Sequence, residues 1–282
     1  MLTQPKQLKT FDDLCQSLLF QLSLSERPRT HKVAIAPINH LLKTFSGVKV
    51  KDVNSRDFWL KHVPRCRLEN PARNLNHDHK LFVQLLNYGF ELGVRDEKCP
   101  NIRKPSTSEP IGRELSTSEI ERLLAASYGE IRLQIVIALK TGMRKGEILS
   151  LSKTSIDFAR KLILLRPSQT KIKRRRVIPI SDELCYLLHK AFEKHGKQFL
   201  FPQKRGTKPV VCNKFLWQRT KRLAGVDCRF HDLRHTSATQ RLRAGISPYF
   251  VSKVLGMSID TLDEIYQHLG SEDLRRAATI LG

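Results

Sequence analysis

Residues 104–112 read Lys-Pro-Ser-Thr-Ser-Glu-Pro-Ile-Gly, a stretch that neither a helix nor a strand accepts in its interior. Pro105 and Pro110 each lack a backbone donor and fix φ, three hydroxylated side chains compete for backbone bonds, and Gly112 frees the chain to turn. A chain of 282 residues interrupted in this way folds as two units on a short extended linker. The expected division is 1–104, a linker at 105–112, and 113–282. Counting to Glu109 gives 18 Lys+Arg against 11 Asp+Glu, a net of +7, and the remainder carries 32 against 16, a net of +16.

Both units are therefore basic. The total of +23 exceeds what solubility requires, so a polyanionic partner is expected. The charges alternate with apolar residues, and 40% hydrophobic content is enough to bury a core in each unit, which excludes a disordered polycation. Two basic units on a linker can close around a nucleic-acid duplex from opposite sides. The rival polyanion is an acidic membrane surface, but no apolar run approaches about 18 residues, and no membrane role is expected. The N-terminus, Met1-Leu-Thr-Gln-Pro-Lys6, lacks the apolar core and cleavage site of a secretory signal. Six cysteines, at 15, 66, 99, 185, 212 and 228, show no Cys-x-x-Cys spacing and read as reduced thiols. The expected location is the cytoplasm, on the nucleoid when DNA is bound.

Hydrophobic periodicity makes residues 1–104 a small helical bundle. Phe11, Leu14, Leu18, Leu19 and Leu22 recur at helical spacing, with Thr10 and Asp12-Asp13 placed as an N-terminus wants them. Ile35, Ile38, Leu41, Leu42 and Phe45 repeat the pattern until Gly47, and His79 to Leu92 forms another amphipathic helix before Gly93. In the second unit Ser116-Thr-Ser-Glu119 matches a capping box ahead of Ile120, Leu123 and Leu124. Ile131 to Leu139 is a strongly apolar helix. Leu162–Leu165 and Arg176–Ile180 are short β-type runs joined by a basic turn, which reads as a hairpin. The fold class is mainly α with a small antiparallel β-sheet in the second unit.

Chemistry-bearing residues cluster in that unit. In Thr141-Gly-Met-Arg-Lys-Gly-Glu-Ile-Leu-Ser-Leu151, Gly142 lets the chain turn, and Arg144 and Glu147 lie three apart on the next helix. In isolation that pair reads better as an exposed ion pair of no functional interest. In His231-Asp-Leu-Arg-His-Thr-Ser-Ala-Thr239, His231, Arg234 and His235 form a stripe that is costly to bury unpaired and attracts phosphate. Two histidines four apart also suit a metal, but the general-base Glu of the zinc-protease pattern is missing, so no metal is expected. Thr170 to Arg176 holds five basic residues in seven, Lys171, Lys173, Arg174, Arg175 and Arg176. Such a run is a solvated surface or a phosphate-backbone contact.

Thr-Gly-x-Arg-x-x-Glu, a basic hairpin opening with Thr-Lys, His-x-Leu-Arg-His-Thr, and then Leu255-Gly256 with Tyr266 occur in that order. The set resembles the tyrosine recombinases, the phage-integrase family of site-specific recombinases. Arg144 precedes His231 by 87 residues and Arg234 precedes Tyr266 by 32, spacings ordinary for that family. The resemblance covers residues 113–280 well, and the helices of 10–104 are similar to the family's core-binding (SAM-like) domain. It implies a two-domain clamp with the catalytic domain at 113–282. By this resemblance Tyr266 attacks a backbone phosphodiester, Arg144 and Arg234 hold its non-bridging oxygens, and Lys171 protonates the departing 5′-oxygen. His231 assists phosphate binding and proton transfer, Glu147 orients Arg144 or the active-site helix, and His235 is structural. Arg174, Arg175 and Arg176 are expected on the DNA backbone. The implied reaction is recombination of double-stranded DNA at specific core sites through a Holliday junction. A homotetramer on DNA, monomeric or weakly associated without it, would carry it out with no metal, nucleotide or other cofactor.

Some assignments stay open at this point. Lys173 competes with Lys171, because hairpin registers vary. Met257 occupies the Leu-Gly-x frame where the family places His or Trp; methionine donates no hydrogen bond, so slower cleavage is expected, with Met257→His raising the rate. The segment after Tyr266, with Leu274, Ala277, Ala278, Ile280 and Leu281 on one face, packs either on its own chain or on a neighbour. Two other functions share the pattern: a catalytically attenuated recombinase-like DNA-binding protein, and a type IB topoisomerase-like relaxing enzyme.

Overall fold

The computed structural model describes residues 8–25, 28–105, 112–167, 175–195, 198–203, 209–210 and 214–267. Lys171, Lys173 and Arg174 lie outside the described residues, as does the apolar-faced segment after Gln267. The chain divides into two compact units, Met1–Glu109 and Pro110–Gly282.

In the first unit, α1 (Phe11–Ser23) begins at a capping box. Thr10 Oγ1 accepts from the Asp13 amide while Asp13 accepts from the Thr10 amide. Helix α2 (Pro28–Phe45) continues through Pro37, α3 (Val63–Glu69) is short, and α4 (Asn76–Glu91) follows. Sequence periodicity anticipates α1, α2 and α4; α3 is too short, with Cys66 its one buried residue, to produce a signal. A π-turn at Phe58–His62 leads directly into α3. Phe11, Phe45, Phe58 and Phe82 form the aromatic centre, with ring centroids 5.2 Å apart for Phe11–Phe45, 5.3 Å for Phe45–Phe82 and 5.5 Å for Phe58–Phe82.

The second unit opens with α5 (Thr117–Ala125), where Ser116 and Glu119 make the expected reciprocal cap. Helix α6 (Gly129–Thr141) is the apolar one, and its Ile131, Ile135, Ile137 and Ala138 are buried. It stops at Gly142, whose φ of 64° is the left-handed conformation that glycine adopts without strain. Helix α7 (Lys145–Leu149) follows at once. A three-stranded antiparallel sheet, in the order β1 (Ile156–Asp157), β2 (Leu162–Leu165) and β3 (Arg176–Pro179), comes next. In the hairpin Leu165 pairs with Arg176 and Leu162 with Pro179. Then come α8 (Asp182–His195), α9 (Lys214–Ala224), α10 (Asp232–Arg243), α11 (Pro248–Leu255) and α12 (Ile259–Gln267). Helix α10 packs on α6, and Ser237 Oγ on α10 donates to the Leu139 carbonyl at 2.7 Å. A separate apolar cluster of Ala238, Leu242, Val251, Leu255, Met257, Leu262 and Ile265 joins α10, α11 and α12.

Candidate active site

The turn between α6 and α7 places Arg144 at the start of α7. Its amide donates to Glu147 Oε2 at 2.8 Å and its Nη1 to Oε1 at 3.1 Å. Glu147 is 2% exposed, so this is no solvated surface pair. The second guanidinium nitrogen, Nη2, donates to the Gly256 carbonyl at 2.7 Å. Arg234 approaches the same carbonyl from α10. Its Nη2 lies 3.3 Å from the Gly256 oxygen and its Nη1 donates to the Gly142 carbonyl at 2.7 Å. Residues far apart in sequence thus meet at one backbone oxygen, ten positions before Tyr266.

Arg176 corrects the sequence reading. It was expected on the DNA backbone, yet it is 7% exposed and turned into the protein. Its Nη2 donates to Glu147 Oε2 at 2.6 Å, and its Nη1 to Oε1 at 3.2 Å and to the Leu255 carbonyl at 2.9 Å. The strand alternation explains this. Arg176 and Ile178 face inward while Val177 and Pro179 face out, so the period of two already held the signal. Arg175, by contrast, is exposed.

The electrostatics favour an anion. Three guanidiniums, from Arg144, Arg176 and Arg234, oppose one carboxylate, so their balance is 3 − 1 = +2. Burial opposes charge on Glu147, but the hydrogen bond and charge of Arg176, then those of Arg144, hold its carboxyl below the usual range. Desolvation, together with the like charges of Arg144 and Arg176, pushes Arg234 down to about 9. A buried guanidinium under that pressure is relieved by a bound oxyanion.

His231 precedes α10 and remains exposed. Desolvation by nearby atoms, then the charges of His235, Arg234 and Arg144, push it down to about 4, so it is neutral near pH 7. Its ring packs edge-on against His235 at 5.3 Å. His235 is 8% exposed, burial lowers its pKa, and its Nδ1 has no hydrogen-bond partner among the described residues. Tyr266 lies on α12, whose Leu262 and Ile265 anchor that helix in the apolar cluster. Met257 is 9% exposed within the same cluster.

One further polar group lies in the first unit. Ligand atoms of His62, Cys66 and Asp78 sit within 4.8 Å of one another, a spacing that a metal ion could bridge. Each already has partners. His62 lies between Thr44 at 2.9 Å and Asp78 at 3.2 Å, Arg73 donates twice to Asp78 at 3.1 Å, and Arg65 donates to Cys66 at 3.3 Å. Two guanidiniums beside the donor set oppose a cation, so the group is a closed structural network.

Residues 113–272 match the Phage integrase family. The chain is similar to the integrase of Salmonella phage P22, 29% identical over 194 residues, which is 64% of this chain and 50% of that protein. The chain thus spans half the length of that relative. It is also similar to the tyrosine recombinase XerA of Thermococcus kodakarensis, 29% identical over 230 residues and 78% of each chain. Among solved structures, the Tn1549 transposon integrase in complex with a circular intermediate DNA superposes with a TM-score of 0.74 at 15% identity, covering 97% of this chain and 100% of that one. A lambda integrase tetramer bound to a Holliday junction gives 0.70 at 17% identity, covering 92% and 78%. At those identities the structural likeness carries the fold.

Proposed function

The chain belongs to the phage integrase family, and we propose that it cuts and rejoins double-stranded DNA at specific sites through a 3′-phosphotyrosyl intermediate. The observation that carries this reading is the meeting of Arg144 and Arg234 at the Gly256 carbonyl, with Glu147 buried behind them. Their guanidiniums hold the two non-bridging oxygens and oppose the charge that grows as phosphorus becomes five-coordinate. The Tyr266 phenolic oxygen attacks in line and the bond to the 5′-oxygen breaks, leaving a 5′-hydroxyl. Lys171, or Lys173 in the other hairpin register, gives that oxygen its proton. Neutral His231 accepts and returns a proton beside the phosphate. A 5′-hydroxyl from another strand then attacks the phosphotyrosyl ester and frees Tyr266, so the broken bond's energy is conserved and ligation requires no nucleotide. Paired exchanges on a homotetramer pass through a Holliday junction. His235 packs behind the site as a structural residue.

A second reading, a DNA-binding protein with attenuated cleavage, is favoured by Met257. It packs among hydrocarbon and supplies no hydrogen bond at the position where the family has a donor. Covalent capture separates the two readings. Wild type and Tyr266→Phe are incubated with fragmented genomic DNA and denatured, and protein-linked DNA is sequenced. The recombinase reading expects adducts with wild type alone, clustered at a few sites. Specific fragments retained without any adduct would favour the binding protein.

A further inference from the structure

Arg176 shares the Glu147 carboxylate with Arg144, and both carboxylate oxygens are occupied from both sides. Oε1 accepts from Arg144 Nη1 and Arg176 Nη1, and Oε2 from the Arg144 amide and Arg176 Nη2. Arg176 also holds the Leu255 carbonyl, the one before the Gly256 carbonyl to which Arg144 and Arg234 are bound. Gly256 makes room for it. Its φ is +63°, and a Cβ there would stand 2.6 Å from Arg176 Nη1. One side chain on β3 therefore fastens α7 and the end of α11, the elements that carry Arg144 and lead into the helix of Tyr266.

Resting on the phosphodiester reading of this site, we infer that Arg176 is a positioning residue: it neutralises Glu147 and fixes the Leu255–Gly256 backbone so that Arg144 and Arg234 keep a net positive charge aimed at phosphate. Without Arg176 the balance falls from 3 − 1 = +2 to 2 − 1 = +1. Arg144 then becomes the sole counter-ion of a buried carboxylate, and its charge is spent within the protein. Arg176 itself touches no substrate, because its guanidinium is enclosed by Glu147, Leu255 and Gly256.

The test uses the full chain and inorganic phosphate, which requires no target sequence. The ring resonances of His231, beside Arg144 and Arg234, report phosphate binding by NMR, while near-UV circular dichroism reports the fold. Arg176→Met is expected to weaken the phosphate response about tenfold or more. Arg176→Lys keeps the charge and loses the two-pronged geometry, so it folds and lies between the two. A folded Arg176→Met or Arg176→Lys with wild-type phosphate affinity would overturn the inference, and so would a wild type whose His231 ignores phosphate. If His231 responds as expected and no Tyr266-dependent adduct forms, recombination fails as a function and the positioning role stands.

Discussion

Glu147 shows how little a residue's type says about its role until its burial is known. Three positions from Arg144 it reads as an ordinary surface pair; at 2% exposure, with two arginines on one carboxylate, it is the centre of the site. His231 carries a prediction at the same scale. Its folded pKa, lowered from 6.5 to about 4, reflects desolvation, then His235, Arg234 and Arg144, against a smaller opposing pull from Asp232. Over that window the unfolded chain binds a proton that the folded imidazole refuses, so stability falls as the pH drops from 6.5 toward 4 and levels off below. A bound dianion supplies the missing counter-charge and raises that pKa, so the affinity for sulfate, which keeps its charge over this range, is expected to increase from about pH 7 to about pH 5. Calorimetric titrations at both pH values check this, and equal affinities would contradict it. Met257 gives a second prediction. The sequence alone expects Met257→His to speed cleavage, but the surrounding Leu242, Val251, Leu255, Leu262 and Ile265 offer an imidazole no partner. The substitution is expected to lose about 1–3 kcal/mol of stability, measured as a lower urea midpoint, with no faster cleavage per folded molecule. An unchanged midpoint with faster cleavage would mean that the ring reaches the phosphate.

Among elements, the turn from α6 to α7 and the strand β3 do most to assemble the site. Gly142 ends α6 in the left-handed region, and a Cβ there would overlap Leu255 Cδ2 and crowd Ser237. Gly142→Ala therefore disturbs the turn before Arg144 and the α11 residue whose carbonyl Arg176 holds. The left-handed backbone alone costs about 1–2 kcal/mol, and the overlap adds to it. Denaturant unfolding is expected to register a loss of at least that size; a variant as stable as wild type would mean that Leu255 moves aside freely. Long, strongly periodic elements such as α1, α4 and α6 were legible from apolar spacing. So were the four-residue strands β2 and β3, but not every short element was. The two-residue β1 and the π-turn leading into α3 are held by neighbours rather than by their own pattern, and α2 runs through Pro37 because Ala34, Ile38, Leu41 and Phe45 bury its face.

For the whole molecule, charge is the dominant property. Both units are basic, at +7 and +16, so much of the binding energy toward duplex DNA is expected from counterion release. Affinity for a non-specific duplex then falls linearly on a log–log plot against salt, with a slope of about −0.9 for each phosphate neutralised. Filter binding across a salt series measures this, and an affinity independent of salt would contradict a charge-led interface.

The sequence by itself determined the elements that a single segment can encode: the amphipathic helices, the hairpin, the net charge, and the ordered motifs with Arg144, His231, Arg234 and Tyr266 at their spacing. These depend on local propensity, on periods of 3.6 and 2, and on composition, all of which survive in one dimension. Only the tertiary structure decided that Arg144 and Arg234 share the Gly256 carbonyl, that Met257 lies in hydrocarbon, and that Arg176 is buried against Glu147. Those facts rest on burial and on hydrogen bonds between residues 22 to 112 positions apart. A basic side chain carries the same charge in the sequence whether it faces water or a buried carboxylate, and packing decides which.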